Sequence, residues 1–260
     1  MVSPLGVDEF VLLIDKKERE FLVRLERGGR FHSHHGFLDH DALIGLQEGS
    51  TIKTSQGQTL WVFRPTLAQI IMNMPRQAQV IYPKDIGTIL MWADVHPGST
   101  VVEVGTGYGA LTMALIRAVG SNGRLTSYEI REDFFLAAQE TVSRYLGECP
   151  QWIIRLQDVM KGIIEQDVDR ILIDITEPWK ILPVAKEALR PGGILLCFMA
   201  NALQVKSLHD GFQDVGGFVL PETIEIILRP WHVKGLSVRP AHRMTAHTGF
   251  ITTARRAADV

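Results

Sequence analysis

Three glycines at alternate positions mark the run Gly105-Thr106-Gly107-Tyr108-Gly109. The run follows the apolar stretch Thr100–Val104, which is typical of a buried strand, and it precedes Ala110–Val119, where apolar residues recur at helical spacing. Because glycine has no side chain, the backbone of such a turn passes close to a ligand at the carboxyl edge of a sheet. The run therefore predicts a binding loop for a nucleotide-like cofactor.

The spacing of the glycines separates the candidate cofactors. The loop carries GxGxG, whereas GxGxxG is the spacing that places a pyrophosphate on a helix N-terminus. No Lys-Ser or Lys-Thr pair follows the loop, as a phosphate-binding loop would require. S-adenosylmethionine is therefore favoured over a dinucleotide or ATP, while a turn that only joins a strand to a helix stays an alternative at this point.

Acidic residues end or follow the next three predicted strands, which are 125–129, Trp152–Leu156 and 170–174. Glu129 lies where an acid accepts hydrogen bonds from both hydroxyls of a ribose, and Asp158 is placed to meet an adenine amino group. Asp174 is expected to face the reactive end of the cofactor. One such acid alone is typical of a helix cap or a solvated loop, but three at one sheet edge beside a glycine loop indicate a binding site.

The elements that must position these residues follow a simple order. From residue 96 onward, predicted strands and helices alternate. This alternation predicts an α/β fold whose parallel sheet carries helices on both faces. Two later runs, 223–228 and 248–253, have no helix-length pattern between them, so they predict an antiparallel hairpin at the end of the sheet.

The first part of the chain has a different pattern. Short β-rich runs at 10–14, 20–26 and 59–63, separated by charged or glycine-containing turns, predict a small β domain. A helix that begins at Pro83 is expected in the stretch that follows. We therefore expect a β domain over 1–65, a helical bridge over 66–95 and the cofactor-binding domain over 96–260.

Composition places the chain among ordinary globular proteins. Its 260 residues are 46% hydrophobic and 22% charged, which excludes a disordered, collagen-like or coiled-coil protein. No stretch approaches the roughly 20 apolar residues of a membrane span, and the opening residues carry acids where a signal peptide needs bases. We therefore expect a cytoplasmic protein that has no membrane partner.

Cysteines and histidines give little support to a metal site. Cys149 and Cys197 are too few and too scattered for a disulfide framework or a four-ligand zinc site. The first domain carries four histidines, His32, His34, His35 and His40. Because side chains alternate between the two faces of a strand, these histidines would not all point the same way. No Cys, Asp or Glu lies at a spacing that would complete a set of metal ligands. We expect no metal, and favour RNA or a neighbouring subunit as the contact of these histidines.

The net charge of the chain is −2, from 29 acidic and 27 basic residues, and gives no sign of a polyanionic partner. Locally the picture differs, because residues 226–258 contain no Asp or Glu. The basic residues of this stretch are Arg229, Lys234, Arg239, Arg243, Arg255 and Arg256. Together with interleaved histidines and aromatic residues, they predict a strip that contacts phosphates, with a solvated edge hairpin as the alternative. The residues predicted to bind RNA are Arg239, His242, Arg243 and His247.

The run from Glu103 to Thr112, paired with Asp174-Ile-Thr-Glu-Pro-Trp179, resembles the tRNA adenine-N1 methyltransferase family that modifies adenine 58 in the T loop. Further stretches agree in order along the chain: Phe31-His-Ser-His-His-Gly36, Tyr82-Pro-Lys-Asp85 and Val238 to Phe250. The resemblance spans nearly the whole chain. It implies a seven-stranded, Rossmann-like class I methyltransferase sheet with a small N-terminal β domain, S-adenosylmethionine as cofactor, tRNA as partner, and a homotetramer.

The resemblance also assigns roles to residues. Asp174 would be the catalytic carboxylate, and Tyr82 would line the pocket against the flipped target base. The cofactor-binding set would be Glu103, Gly105, Thr106, Gly107, Tyr108, Gly109, Ala110, Leu111, Glu129, Asp158 and Asp174. In this reading adenine N1 is the nucleophile, and a carboxylate that accepts a hydrogen bond from its 6-amino group orients it, without any need for a metal.

Two positions depart from the family pattern. Tyr108 stands where the family usually has a small serine, and Ala200 where it usually has proline. Two other classes of function are kept as alternatives. One is another class I methyltransferase, acting on protein isoaspartate or a small molecule, which would need neither the run from Asp174 to Trp179 nor the basic strip. The other is a non-catalytic RNA-binding subunit, which would be expected to lack the glycine loop or Asp174.

Overall fold

The computed structural model describes residues 3–75 and 79–258 of the chain. The chain separates into two compact units, Met1–Arg76 and Gln77–Val260. The division lies inside the stretch 66–95.

The first unit is built mainly from short antiparallel strands. They are β1 (Phe10–Asp15), β2 (Glu20–Arg24), β3 (Arg30–Ser33), β4 (Gly36–Asp39), β5 (Thr51–Lys53) and β6 (Thr59–Phe63), followed by helix α1 (Leu67–Asn73). A four-stranded sheet has the order β2-β1-β6-β5, and β3 pairs with β4. Alternate side chains of the strands, such as Val11, Leu13 and Val62, enclose an apolar core.

His40 belongs to this unit's interior. Its ring is buried, and Nδ1 accepts a hydrogen bond from the backbone N–H of Glu26. The ring also packs so close to Gly29 that a Cβ there would lie 2.4 Å from Nδ1. His40 is thus a packed core residue, and within residues 3–75 and 79–258 no group of three His, Cys, Asp or Glu residues is arranged to hold a metal ion.

The second unit alternates strands and helices. Its elements are α2 (Pro83–Trp92), β7 (Thr100–Val104), α3 (Ala110–Val119), β8 (Arg124–Glu129), α4 (Glu132–Leu146), β9 (Trp152–Leu156), β10 (Val168–Ile173), α5 (Leu182–Ala188), β11 (Leu189–Met199), α6 (Ala202–Val215), β12 (Phe218–Glu225), β13 (Trp231–Lys234), β14 (Ser237–Pro240) and β15 (Phe250–Arg256). Pro83 opens α2 as the sequence predicts, because its missing N–H needs no partner in the first turn.

Seven of these strands form one sheet with the order β12-β15-β11-β10-β7-β8-β9. The strands from β11 to β9 are parallel to one another, and β15 is antiparallel to both β11 and β12. The predicted α/β class, the seven-stranded sheet and the N-terminal β region are confirmed. Strands β7 and β10 are almost wholly buried, which explains why most of their residues are Val, Ile or Leu.

The order of the strands places a ligand site. The chain leaves β7 toward β8 and β9 on one side, and it returns to β10 and β11 on the other. In open α/β sheets a crevice forms outside the carboxyl ends of the strands at such a switch point. The glycine loop follows β7 and Asp174 follows β10, so both lie at the switch point.

Three details of the sheet differ from the sequence-based expectation. Strand β11 begins at Leu189, because Arg190-Pro191-Gly192-Gly193 forms a bulge within the strand rather than a turn before it. The antiparallel edge hairpin is present, but its strands are β12 and β15, which are shifted from 223–228 and 248–253. A separate two-stranded ribbon, β13–β14, lies between them in sequence and was not predicted.

Candidate functional site

The turn after β7 and the turn after β10 touch each other through their backbones. The Asp174 N–H donates to the Val104 carbonyl at 2.8 Å, and a Cβ placed on Gly105 would lie 2.2 Å from the Asp174 carbonyl oxygen. Gly105 also has φ +87°, in the left-handed region. Position 105 therefore requires glycine for two reasons, and this close approach brings the predicted cofactor loop against Asp174.

Glu129, the last residue of β8, braces the glycine loop from the side. Its Oε2 accepts from the backbone N–H groups of Thr106 at 3.2 Å and Gly107 at 3.1 Å. Its Oε1 accepts from the N–H groups of Ile130 and Arg131. Glu129 is 6% exposed, so these four backbone donors hold its carboxyl group where little water reaches it. Glu129 thus fixes the start of the loop.

Asp158 follows β9 at the far side of the site. Its Oδ1 accepts from the Met160 N–H at 2.9 Å and caps a short 3-10 turn, Val159–Lys161. The residue is half-buried. A capping role and a ligand role are compatible here, because a carboxylate has about four acceptor sites.

A cleft of about 250 Å³ opens between these turns. Gly105, Glu129 and Asp158 line it, together with Gln157, Thr176 and the turn after β10. The apolar part of the lining includes Val104, Ile130, Val159, Ile175 and Ile181, and Lys180 adds a charged side chain. A flat purine suits the apolar residues, and the carboxylate acceptors suit the hydroxyl and amino donors of an adenosine. The residues present therefore fit the adenosine part of S-adenosylmethionine.

Glu103 lies beneath the loop, in the middle of β7. Its Oε2 accepts from the hydroxyl groups of Thr112 at 2.8 Å and Ser127 at 2.6 Å, whereas its buried Oε1 has no hydrogen-bond partner. Burial raises the pKa of Glu103 to about 8, and the nearby Asp174 and Glu129 add to the rise. At neutral pH the group is a neutral acid that joins β7, α3 and β8.

Asp174 has a pKa near neutrality. The residue is exposed, but the protein around its carboxylate partly desolvates it. This desolvation, together with repulsion from Glu129, raises the pKa of Asp174 to about 7. Perturbed carboxyl groups of this kind, beside a cleft, are typical of functional sites.

The unusual Tyr108 of the loop packs sideways onto α4. Its ring meets the Phe134 ring edge-on, with centroids 5.3 Å apart. The Arg131 guanidinium lies over the same Phe134 ring, 3.8 Å from its centroid. The aromatic side chain therefore has a packing site on the protein. The serine that the family usually carries would leave this contact unmade.

Tyr82, the predicted pocket residue, immediately precedes α2 and is half-buried.

The two residues after Pro83 form a buried cluster with Thr248. Lys84 Nζ donates to Asp85 Oδ1 at 2.7 Å and to Thr248 Oγ1 at 2.5 Å, and Thr248 Oγ1 donates to Asp85 Oδ2 at 2.7 Å. Asp85 is 0% exposed, so this cluster fixes the start of α2. The sequence analysis did not identify this role for Lys84 and Asp85.

The predicted RNA-binding residues lie in β14 and in the segment 241–249 that follows it. His242 and Arg243 are exposed, and Arg239 is half-buried in β14. His247 is engaged within the chain, with Nδ1 2.7 Å from Glu225 Oε1 and Nε2 2.9 Å from the Ala200 carbonyl oxygen.

The β13–β14 ribbon has two unlike faces. Register pairs Val233 with Val238 and Trp231 with Pro240 on one face, and it pairs His232 with Arg239 and Lys234 with Ser237 on the other. The side chains of Trp231, Val233 and Val238 are 59–69% exposed. One face is therefore apolar and the other basic, and both are open to solvent in the single chain.

Comparison with protein families gives two matches. Residues 58–247 match the family described as the tRNA methyltransferase complex GCD14 subunit. Residues 4–52 match the TrmI-like N-terminal family. The two matches together account for both compact units.

Individual proteins agree with these matches. The tRNA (adenine(58)-N(1))-methyltransferase TrmI of Thermus thermophilus is 35% identical over 247 residues, which cover 95% of this chain and 96% of the relative. The crystal structure of the tRNA (m1A58) methyltransferase TrmI of Aquifex aeolicus has a TM-score of 0.87 and 27% identity, covering 98% of this chain and 100% of that one. A structure from Thermotoga maritima, described as a SAM-dependent O-methyltransferase, has a TM-score of 0.95 and 33% identity, covering 99% and 96%.

The glycine positions predict unequal sensitivity to alanine. In Gly105→Ala the new Cβ meets the Asp174 carbonyl oxygen, so we expect loss of both folding stability and S-adenosylmethionine binding. Gly107→Ala is the matched control, because its Cβ would meet nothing within 4 Å and only the left-handed φ of +54° costs about 1–2 kcal/mol. Urea unfolding and calorimetric titration measure the two effects. Equal destabilisation by both variants would contradict the close-contact account.

The buried Glu103 predicts a pH-dependent stability difference. Its pKa of about 8 in the folded chain exceeds the ordinary 4.5, so between these values the folded chain keeps a proton that the unfolded chain releases. The contribution to the free energy of unfolding therefore falls as pH rises from about 4.5 to 8. Glu103→Gln mimics the neutral acid, and we expect it to gain stability relative to the natural chain as pH rises. A difference independent of pH, in unfolding at pH 5 and pH 8, would contradict this assignment.

Proposed function

The chain belongs to the tRNA adenine-58 N1-methyltransferase family, and from this membership we propose that it transfers a methyl group from S-adenosylmethionine to N1 of adenine 58 in tRNA. The observation that carries the proposal is the position of Asp174. Its backbone lies against Gly105 at the switch point of the sheet, and the residues that follow it, Ile175 and Thr176, line a cleft that suits adenosine. A carboxyl group there has its pKa near neutrality and can present an acceptor to an incoming base.

The chemistry asks little of the protein beyond orientation and charge. When bound, S-adenosylmethionine would supply an electrophilic methyl group on a sulfonium. The lone pair of adenine N1 would form the new N–C bond as the S–C bond breaks, S-adenosylhomocysteine would leave, and the positive charge would pass to the purine. In its ionised form Asp174 accepts a hydrogen bond from the 6-amino group, which turns N1 toward the methyl group and stabilises the developing charge. Orientation of this kind contributes about 7–11 kcal/mol in well-aligned reactions.

Three groups are proposed to hold the cofactor. Glu129 would accept from the ribose hydroxyls, Asp158 from the adenine amino group, and the glycine loop would pass beneath the methionine part. The positions of Glu129 and Asp158 in the lining of the same cleft support this assignment. Glu103 would act indirectly, because it lies beneath the loop and contacts Thr112 and Ser127.

Tyr82 is proposed to pack against the target base. A base within a folded T loop must leave its stack before it reaches a buried reaction site, and an aromatic ring stabilises the extruded base. The position of Tyr82 at the fixed start of α2 supports this role, since the Lys84–Asp85–Thr248 cluster holds that turn.

RNA contacts are proposed for Arg239, His242 and Arg243, which belong to the acid-free stretch 226–258. The basic face of the β13–β14 ribbon, which carries His232 and Lys234, lies beside them in sequence. The contacts of His247 with Glu225 and Ala200 favour a different role for this residue.

A homotetramer is proposed as the working assembly. The exposed apolar face of the ribbon, with Trp231, Val233 and Val238, is the kind of surface that a second copy of the chain would cover. We also propose that the protein works in the cytoplasm on tRNA. No helix within residues 3–75 and 79–258 is long and apolar enough to cross a membrane.

The site of methylation is the first test of the function. We expect the protein to transfer labelled methyl groups from S-adenosylmethionine to an unmodified tRNA transcript, and to leave a transcript with uridine in place of adenine 58 unlabelled. Nucleoside analysis of the product should show 1-methyladenosine. Equal labelling of both transcripts would contradict the site assignment, and labelling of an oxygen acceptor alone would favour an O-methyltransferase.

The role of Asp174 predicts a pH profile. Because the ionised form acts and the pKa is about 7, the single-turnover rate should rise with pH through that value. Asp174→Asn keeps the shape but removes the charge, so we expect a rate loss on the order of 10²–10³ with little change in S-adenosylmethionine affinity. Full turnover by Asp174→Asn, or an unchanged rise in its pH profile, would remove Asp174 from the catalytic role.

A further inference from the structure

His247 lies between two hydrogen-bond acceptors. Nδ1 faces Glu225 Oε1 at 2.7 Å, and Nε2 faces the Ala200 carbonyl oxygen at 2.9 Å. A neutral imidazole has one N–H, whereas an imidazolium has two. Both contacts therefore form together only when the ring is protonated. The ring also packs against Phe250, with centroids 5.0 Å apart.

The two acceptors come from strands that flank β15. Phe250, the first residue of β15, pairs with Met199 on one side and with Glu225 on the other. Ala200 follows Met199 directly, so the His247 ring crosses the point where β15 enters the sheet. One side chain thereby connects the carboxyl ends of β11 and β12.

A hydrogen-bond path continues from Ala200 to the turn that carries Asp174. The Ala200 N–H donates to Gln204 Oε1 at 2.9 Å, and Gln204 Nε2 donates to the Thr176 carbonyl oxygen at 2.8 Å. Thr176 is two residues beyond Asp174. Gln204 is itself held in the capping box that opens α6 with Asn201.

Thr248, which follows His247, connects the same segment to a different element. Thr248 joins the buried Lys84–Asp85 pair, which fixes the start of α2 directly after Tyr82. Residues 247 and 248 therefore attach the segment 241–249 both to the turn of Asp174 and to the start of α2.

We propose that His247, in its imidazolium form, is a positioning residue that fixes the position of the segment 241–249 relative to Asp174 and does not itself contact RNA phosphates. The inference rests on the proposed function for the meaning of Asp174. The charged groups around the ring are Glu225 on β12, which favours the imidazolium, and Lys84 on α2, which opposes it. The hydrogen bond to Ala200 and that to Glu225 outweigh the effect of Lys84 and raise the pKa of His247.

Two variants separate positioning from RNA contact. His247→Gln cannot donate to Glu225 and Ala200 at once, so we expect kcat to fall on the order of ten-fold to a hundred-fold through misplacement of the target base. The KM for tRNA and the salt dependence of tRNA binding should not change. A lost phosphate contact would instead raise KM and reduce the slope of log K against log salt by about 0.7–0.9.

The two roles predict different effects of Glu225→Gln. If His247 is a positioning residue, the variant loses the carboxylate that stabilises the imidazolium. We then expect kcat to fall, and the decline of kcat at alkaline pH to move to lower pH. Under phosphate contact, removal of an acid directly beside the strip would tighten tRNA binding. Glu222→Gln, on the same strand and exposed, is the control for loss of one negative charge, and it should change neither quantity.

The outcomes are distinct from those that test the function itself. If the natural chain transfers no methyl group to any tRNA, the proposed function fails. If the natural chain is active and His247→Gln retains its kcat, or Glu225→Gln tightens tRNA binding, the positioning role is overturned while the function stands. Parallel loss of kcat in His247→Gln and Glu225→Gln, with Glu222→Gln unaffected, supports it.

Discussion

The close approach of the Gly105 backbone to the Asp174 carbonyl is the constraint on which the rest of the site depends. Two parallel strands, β7 and β10, end side by side, and the chain leaves them in opposite directions. The absence of a side chain at position 105 lets the two turns meet, with no room even for a Cβ. A cofactor over the loop and a base beside Asp174 would consequently be close enough to react.

The three carboxyl groups around this contact have different surroundings. Glu103 has burial and two hydroxyl donors, and it remains a neutral acid. Glu129 accepts hydrogen bonds from four backbone N–H groups, two of which belong to the glycine loop, and so holds that loop in place. Asp174, with its pKa at about 7, is left as the group whose charge can serve the reaction. Environments that separate neighbouring carboxyl groups in this way are how a single fold assigns structural and chemical roles to one residue type.

Much of the site could be predicted from sequence because its determinants are local. Mostly apolar residues mark β7 and β10, and the glycines and the acids that follow the strands then lie at one edge by topology. The contacts of His247 could not be predicted, since Ala200 is 47 residues away and meets it only through the pairing of β15. The β13–β14 ribbon was missed because its exposed, mixed side chains lack the buried strand pattern. The packing of Tyr108 on Phe134 likewise depends on how α4 lies against the loop.

The central claim is that Asp174 acts through the 6-amino group of adenine 58. It is tested most directly by single-turnover methylation of tRNA that carries purine, without that amino group, at position 58, with the natural chain and Asp174→Asn compared on both tRNAs. A double-mutant cycle of this kind isolates the interaction between the two groups. The account predicts that removal of the amino group slows the natural chain much more than it slows Asp174→Asn. Equal slowing of both proteins would show that the two groups do not interact, and would contradict it.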